Sequence, residues 1–565
     1  MSIARIVSIN NESNCHIIKI SHKRIQILFF CILVTIIFLI FKVLNLSIFS
    51  YRNFHLINKS STEIKMRKNI IDRNGIILAS TIPTASAYIN PKHLRDKESL
   101  KSIAKVVAIN VDDLKTQITN KKHFIWLKRH ITSKEQQMLH DFGVPGIYFI
   151  DDQKRIYPHR NLFSHIIGLV DTENHGISGI EASFNKDLIN DSNNIDFIQT
   201  SLDTRVQYIV RQELNNTINL HNAVGGTALV MDVRTGEIIS SVSLPDYNPH
   251  NIKNVKNHRF FNQTTLGVYE MGSILKVFTL AIGIDSGQIN LDNVFDVSTP
   301  IQIHKHKIGD YKGGKGGMLS IPEILMYSSN IGVAKIIQKV GIKKQQDYFK
   351  KLGMFSKTKI EVPEKSYPII PNIKMWKELR SITISYGHGI AMTPIHLMQS
   401  FATILNKGLF QQATLIKNAN NNINREQVFN ITTSKLMNKI LRLSAIKGFA
   451  KRANVNQYLV GAKTGTAEKV INGKYNKRLN TALCIAAFPM DNPQYSVFVL
   501  IDEPQQNKIN CGFATGGMVA APVISNIITK IAPILKISTI DYNSAKIIKD
   551  LSIDYKPIYK QFTKN

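Results

Sequence analysis

Along this chain the apolar residues first gather in one unbroken stretch, Ile25 to Phe41, IQILFFCILVTIIFLIF. After Lys42 the run continues as VLNLSIF to Phe49. About 20 helical residues cross the hydrocarbon core of a bilayer, so 25–49 is long enough to span one. A secretory signal has a shorter apolar core and a small-residue cleavage site, and neither pattern occurs here. The run therefore predicts an uncleaved membrane anchor, and no second run of that length follows. From 50 to 200 the pattern is mixed and polar, with brief apolar stretches such as IIDRNGIILAS and GVPGIYFI. That pattern predicts short strands and helices and no compact catalytic core.

From Asp203 the periodicity sharpens. Val206, Ile209, Val210 and Leu214 recur at helical spacing. TALVMDVRTGEIISSVS then reads as strand, tight turn at Arg234-Thr235-Gly236, and strand. A helix-rich stretch runs from Ser273 to Gly408. Strands return at YLVGAKTGTA, TALCIAAFP and YSVFVLIDEP, and a helix follows ATGGMVAAP. Strand pairs at both ends with helices between them predict an α+β domain, one antiparallel sheet covered by helices. The division read from these patterns is 1–24, a short N-terminal segment; 25–49, the anchor; 50–200, an elongated mixed pedestal; 201–541, the sheet-and-helix domain; and 542–565, a loose basic tail.

Charge adds topology. Arg5, Lys19, Lys23 and Arg24 precede the anchor, and positive residues flanking a first helix stay in the cytoplasm. The bulk of the chain is then expected outside, because long domains cross largely regardless of their charge. The chain carries 71 Lys and Arg against 40 Asp and Glu, a formal charge of +31. Such a balance favours anionic partners. These residues are spread along the whole length, alongside heavy use of Ile and Asn, and neither zinc-finger spacing nor an aromatic RNA-binding strand occurs, so no nucleic-acid partner is expected. The cysteines are Cys15, Cys31, Cys484 and Cys511, with no metal-ligand spacing. No metal or cofactor is expected. Cys484 and Cys511 are free to pair or to stay reduced in an oxidising compartment.

Candidate chemistry lies in three short motifs in fixed order: Ser273-Ile274-Leu275-Lys276, Ser328-Ser329-Asn330 and Lys463-Thr464-Gly465. A serine hydroxyl needs a neighbouring base to become a nucleophile. Residues three apart on a helix share a face, so Lys276 is placed to reach Ser273. Burial and nearby cations lower a lysine pKa enough for that task. Ser328 is expected to relay a proton to the leaving amine, and Asn330 to hold the substrate amide. Lys463 supplies positive charge for a substrate carboxylate, with hydroxyls from Thr464 and Thr466. Gly465 lets a substrate backbone approach the strand. The backbone N–H groups of Ser273 and Thr466 are the expected oxyanion donors. S-x-x-K alone carries no weight, since it recurs at Ser102, Ser183, Ser356 and Ser444. The weight lies in the ordered set and its contexts: Ser273 opens an apolar helix, Asn330 precedes another, and Lys463 lies on a strand. His165 and His388 are read as hydrogen-bonded core or turn residues, and Glu213 as part of an exposed helix face.

The ordered set resembles the signature of penicillin-binding proteins and class A β-lactamases. The rest of the chain resembles a class B penicillin-binding protein. Arg67 to Gly75, RKNIIDRNG, is similar to that family's RGxIxDRNG. Arg155-Ile156-Tyr157-Pro158 with His165 and Gly168, and Gly176 to Glu181, resemble its RxYP…HxxG and GxxGxE stretches. Asp246-Tyr247-Asn248-Pro249, Tyr386-Gly387-His388-Gly389 and Thr393-Pro394 also match. Lys68, Arg160, Met271 and the pair Pro363-Glu364 depart from the usual pattern. Tyr269 to Ser273 and the middle Ser329 are most similar to the division-specific branch.

The resemblance implies a penicillin-binding transpeptidase fold on a pedestal. It implies a D,D-transpeptidase that cross-links peptidoglycan stem peptides through an acyl-serine during septal synthesis, and that β-lactam antibiotics trap. The implied location is the inner (cytoplasmic) membrane, single-pass, with a cytoplasmic N-terminus and a periplasmic catalytic domain. The implied partners are a SEDS-type glycan polymerase and other division proteins. An elongation-specific transpeptidase, a D,D-carboxypeptidase and a non-catalytic β-lactam-binding scaffold or sensor stay open as alternatives.

Overall fold

The computed structural model describes residues 26–44, 66–94, 99–120, 124–190, 196–311, 315–419, 425–471 and 473–555. Cys15, the basic residues before the anchor, Ile25 and residues 45–49 of the predicted anchor lie outside the described residues. The N-terminal unit, Met1–Lys65, contains helix α1, Gln26–Leu44. Its 19 residues have a mean hydropathy of 3.1. Phe29, Phe38 and Phe41 all stand exposed on it, and the helix is long and apolar enough to cross a bilayer.

In the second unit, Met66–Asn565, the pedestal is built on strands β1, Asn69–Ile71, and β2, Ile77–Ile89. Helices α2, Leu100–Val107, and α3, Val111–Asn120, precede β3, Ile125–Ile131, which is followed by α4, Ser133–Asp141, β4, Ile147–Ile156, and β5, Phe197–Gln199. β2 pairs antiparallel with β4 along Ser80–Ile89 and with β3 from Ala85. The 13 residues of β2 exceed the short strands expected. Pro83 masks the strand in the sequence, yet at that point β2 has β4 beside it while β3 joins only further on. Leu100, Ile103, Val107, Leu114 and Leu139 of the helices close over Ala87 and Ile89 to form a core of their own.

Glu181 fixes the base of the pedestal. Its carboxylate accepts from Arg67 Nε at 2.6 Å and Arg155 Nε at 2.7 Å, all three residues being buried. Asp72 reaches onward: Oδ1 closes the turn through Asn74 and Ile76 N–H, and Oδ2 accepts from the N–H and hydroxyl of Thr204. Thr204 opens helix α5, Thr204–Leu220, which Asp203 caps.

After α5 come β6, Gly225–Asp232, β7, Ile238–Leu244, α6, Leu275–Asp285, α7, Asn330–Val340, α8, Pro394–Leu405, and α9, Ile431–Lys447. Then follow β8, Gly461–Ile471, β9, Lys474–Phe488, β10, Tyr495–Asp502, α10, Ala520–Ile534, and α11, Ala545–Leu551. The sheet runs β8-β9-β10-β6-β7, antiparallel throughout. Alternation decides which residues meet which helices. Leu483, Ile485 and Ala487 face the core shared with α6, α7 and α8. Ala482, Cys484 and Ala486 face the one shared with α5 and α10. Both faces are covered, so β6 and β7 are buried at every position.

Several expectations are corrected. Two small two-stranded sheets, 294–296 with 318–320 and, between them in the chain, the hairpin 301–303 with 306–308, interrupt the helix-rich stretch. Glu213 is buried, not exposed: α10 covers its face, and Lys530 Nζ lies 2.5 Å from its carboxylate. The tail is not loose from Tyr542. Ser544 caps α11, Leu551 and Ile553 pack on the main core, and Lys439 donates to the Ser552 carbonyl at 3.1 Å. Cys484, buried, and Cys511, exposed, are both free thiols.

Candidate active site

The site lies where α6 and α7 meet the edge strand β8. Gly272–Ile274 form a 3-10 turn that runs into α6, so Ser273 stands at the head of an apolar helix buried from Leu275 to Gly283. Full burial of one such large apolar side chain stabilises by roughly 1.5–3 kcal/mol, which holds the turn against the sheet. Space around the turn is tight. A Cβ on Gly387 would lie 2.0 Å from the Gly272 carbonyl oxygen, and one on Gly272 would lie 2.6 Å from that of Thr466. One at Gly465 would meet the Met271 carbonyl at 2.8 Å. These glycines bring the backbones of Ser273 and Thr466 together, the pair expected to bind an oxyanion.

Glu270, three residues before Ser273, ties that turn to its neighbours. Its Oε1 accepts from Gly389 N–H at 2.7 Å and from the Tyr475 hydroxyl at 3.0 Å. His388 lies in this turn, its Nδ1 3.4 Å from Glu270 Oε2. His165 is a core residue, its Nε2 2.8 Å from the Arg259 carbonyl, with burial holding its pKa below the ordinary value.

Ser328 connects the three motifs. Lys276 Nζ donates to the Ser328 carbonyl, to Ser328 Oγ at 3.2 Å, and to Asn330 Oδ1 at 2.6 Å. Lys463 Nζ donates to the same Ser328 Oγ at 3.0 Å. Ser328 sits at φ 55°, a left-handed conformation that turns its carbonyl and hydroxyl toward the lysines. Among the described residues no hydrogen bond joins Lys276 to Ser273 Oγ, which corrects the simplest reading of the spacing. The Lys276 nitrogen is held instead by the Ser328 turn and Asn330.

Electrostatics favour a neutral lysine here. Lys276 is fully buried, and burial with the nearby Lys463 charge pushes its pKa well below the ordinary lysine value. Burial also pushes Lys463 down to about 7. Beside it the Cys484 thiol is pushed up to about 12, again by burial, so it stays protonated.

The remaining predicted residues divide between the two sides of β8. Lys463 and Gly465 pair with Ile485 and Leu483 on the α6 side. Thr464 pairs with Cys484, and Thr466 Oγ1 accepts from Gly516 N–H at 3.1 Å, so both threonines face the glycine-rich 512–519 loop. The Asn330 amide is already taken, its nitrogen donating to the Gly309 carbonyl at 3.0 Å. Asn330 thus orients Lys276 before any substrate arrives. Sequence reasoning missed Asp310, which accepts from Ser329 Oγ at 2.8 Å and from the N–H groups of Asn330 and Ile331. It stands outside every motif; its one signal is an acidic residue after Gly309 in a turn-rich stretch. Among the described residues no group of His, Cys, Asp or Glu fits a metal ion.

A serine at a helix head, a buried low-pKa lysine one turn on, and a second lysine sharing a bridging hydroxyl define a serine acyltransferase centre. The penicillin binding protein transpeptidase domain matches residues 226–529, and the penicillin-binding protein dimerisation domain matches 65–213. The chain is 31% identical over 482 residues to the "Probable peptidoglycan D,D-transpeptidase FtsI" of Caulobacter vibrioides, covering 83% of this chain and 81% of the relative. It is 30% identical over 575 residues to the "Peptidoglycan D,D-transpeptidase FtsI" of Buchnera aphidicola subsp. Baizongia pistaciae, covering 93% and 98%. Among solved structures, penicillin binding protein 3 from Mycobacterium, complexed with aztreonam, has a similar fold at TM-score 0.66 and 21% identity, covering 84% of this chain and 97% of that one. The chain belongs to the penicillin-binding protein transpeptidase family, in its class B branch.

Proposed function

We propose that this protein is a peptidoglycan D,D-transpeptidase of septal wall synthesis with Ser273 as its nucleophile. Neutral Lys276 accepts the Ser273 proton as Oγ attacks the penultimate D-alanine carbonyl of a stem peptide. The N–H groups of Ser273 and Thr466 receive the oxyanion. Ser328 passes a proton to the departing D-alanine nitrogen, leaving an acyl-serine. An amine from a neighbouring strand attacks that ester, forms the cross-link and returns the proton to the lysine–serine pair. The charge of Lys463 and the hydroxyls of Thr464 and Thr466 draw in and bind the terminal carboxylate, Gly465 lets the Ser273 turn come close to β8, and Asn330 orients Lys276. A β-lactam presents the same carbonyl and carboxylate and is trapped on Ser273.

The observation that carries this reading is the single Ser328 hydroxyl held by both buried lysines, at 3.2 and 3.0 Å. The septal assignment is supported by the relatives named FtsI. The basic residues before α1 support an inner-membrane, single-pass topology with the N-terminus cytoplasmic and the catalytic part periplasmic. We divide the chain into anchor 25–49, pedestal 50–200 and transpeptidase domain 201–541, with a SEDS-type glycan polymerase and other division proteins as partners.

The test is a thioester donor peptide ending in a D-alanine analogue, supplied with a free D-amino acid. Transfer to the amine is expected to exceed hydrolysis. Hydrolysis alone would make the protein a carboxypeptidase. In cells, depletion is expected to give filaments; rounded cells would move it to elongation.

A further inference from the structure

Asp310 belongs to no catalytic motif and lies 19 residues before Ser329. Its carboxylate nevertheless makes two hydrogen bonds to the Ser328-Ser329-Asn330 turn and a third to the next residue, Ile331. Oδ2 accepts from Ser329 Oγ at 2.8 Å, and Oδ1 accepts from the N–H groups of Asn330 at 2.5 Å and Ile331 at 3.0 Å. These two N–H groups begin α7 and have no partner within the helix, so a carboxylate there satisfies both and meets the positive end of the helix dipole. The preceding carbonyl, Gly309 O, holds the Asn330 amide nitrogen, whose oxygen in turn accepts from Lys276 Nζ. Ser328 keeps its φ of 55° inside this frame, a conformation that persists only where neighbours over-determine it.

The charges point the same way. Lys276 faces Lys463 across the Ser328 hydroxyl, and the Cys484 thiol on the neighbouring strand is the titratable group that acts on Lys463. Beyond the turn, Lys315 Nζ lies 5.4 Å from the centre of the Tyr327 ring. The Glu323 carboxylate is engaged by Ser320. Asp310 is the acid that acts on Lys276, opposing the lowering effects of burial and Lys463.

We propose that Asp310 is a positioning residue for the acyl transfer: its carboxylate locks the Ser328-Ser329-Asn330 turn against Lys276 and sets a negative charge beside that lysine. This rests on the reading of Ser273 and Lys276 as nucleophile and base. Removing the charge leaves Lys276 to lose its proton at lower pH, whereas loosening the turn slows the reaction without moving its pH dependence.

The experiment measures acylation of the full-length protein by a chromogenic cephalosporin across pH, separating the non-covalent constant from the acylation rate. Asp310→Asn is expected to lower the acylation rate about 10- to 100-fold, with a smaller change in the non-covalent constant. Its acid limb is expected to move to lower pH. Ser329→Ala keeps the charge and deletes one bond, so its rate falls with the limb in place. Asp310→Glu keeps the charge and is expected to hold the limb and recover part of the rate; it decides the matter if Asp310→Asn fails to fold. An acid limb at the wild-type position in Asp310→Asn, or one displaced in Asp310→Glu as well, overturns the inference. A wild-type protein that is not acylated on Ser273 would instead overturn the reading of the site.

Discussion

Lys276 and Lys463 lie 3.2 and 3.0 Å from one hydroxyl oxygen, both out of water. Two ammonium groups that close, in a low-dielectric interior, repel strongly, so the pair sheds a proton far below the ordinary lysine range. Lys276 gives up its proton first, because burial is reinforced there by the Lys463 charge. The sign of the pH dependence follows. Acylation needs Lys276 neutral and Lys463 charged, so the rate rises as Lys276 deprotonates and falls as pH passes about 7, where Lys463 does. A pH profile of β-lactam acylation is expected to be bell-shaped. A rate still climbing toward the ordinary lysine value of 10.5 would contradict it. At this scale the sequence was informative about residue types: Lys276 and Lys463 do converge on the Ser328 hydroxyl. It was silent about Asp310, because a carboxylate that acts through backbone N–H groups leaves no spacing signature. It also misled at Glu213, whose burial depends on a helix more than 300 residues further along the chain.

Elements carry the second layer. Glu181 receives two arginine side chains in a site where all three residues are buried. Removing one partner from such a cluster leaves uncompensated buried charge and costs roughly 3–5 kcal/mol. Glu181→Ala is expected to lower the thermal midpoint of the pedestal by that equivalent, with the penicillin adduct retained wherever the protein still folds. A variant as stable as wild type would show that the two arginines find water instead. Strands buried on both faces, β6, β7 and β10, were legible from their apolar runs between turn signals. The outer ends of β8 and β9 were not. They extend beyond the core through Lys474 and Tyr475, with a bulge at Glu468/Lys469, and a hairpin that buries neither face lacks the period of two. The docked α11 was hidden in the same way, by a basic composition that reads as solvated.

On the scale of the whole molecule, the apolar helix α1 and the body from Met66 onward are separate units. The body has cores above and below its main sheet and a third in the pedestal, none of which draws on α1. Deleting residues 1–65 is therefore expected to release a folded protein into the soluble fraction with its β-lactam acylation rate within about twofold of wild type, as independent sites behave. An unfolded or unreactive body would show that the anchor helps to build the site. The apolar helix α1 and the strands of the antiparallel sheet were both readable from hydropathy alone. The register that brings β8 against the Ser273 turn was not, because it depends on glycines at 272, 387 and 465 whose neighbours are distant in the chain.

The central claim is that Ser273 is the nucleophile of this centre. Membranes carrying the protein are labelled with a fluorescent penicillin and the modified peptide is mapped by mass spectrometry, with Ser273→Ala alongside. The expected result is a stable adduct on Ser273 that the variant lacks. An adduct on another residue, or none on a folded wild-type protein, would contradict it.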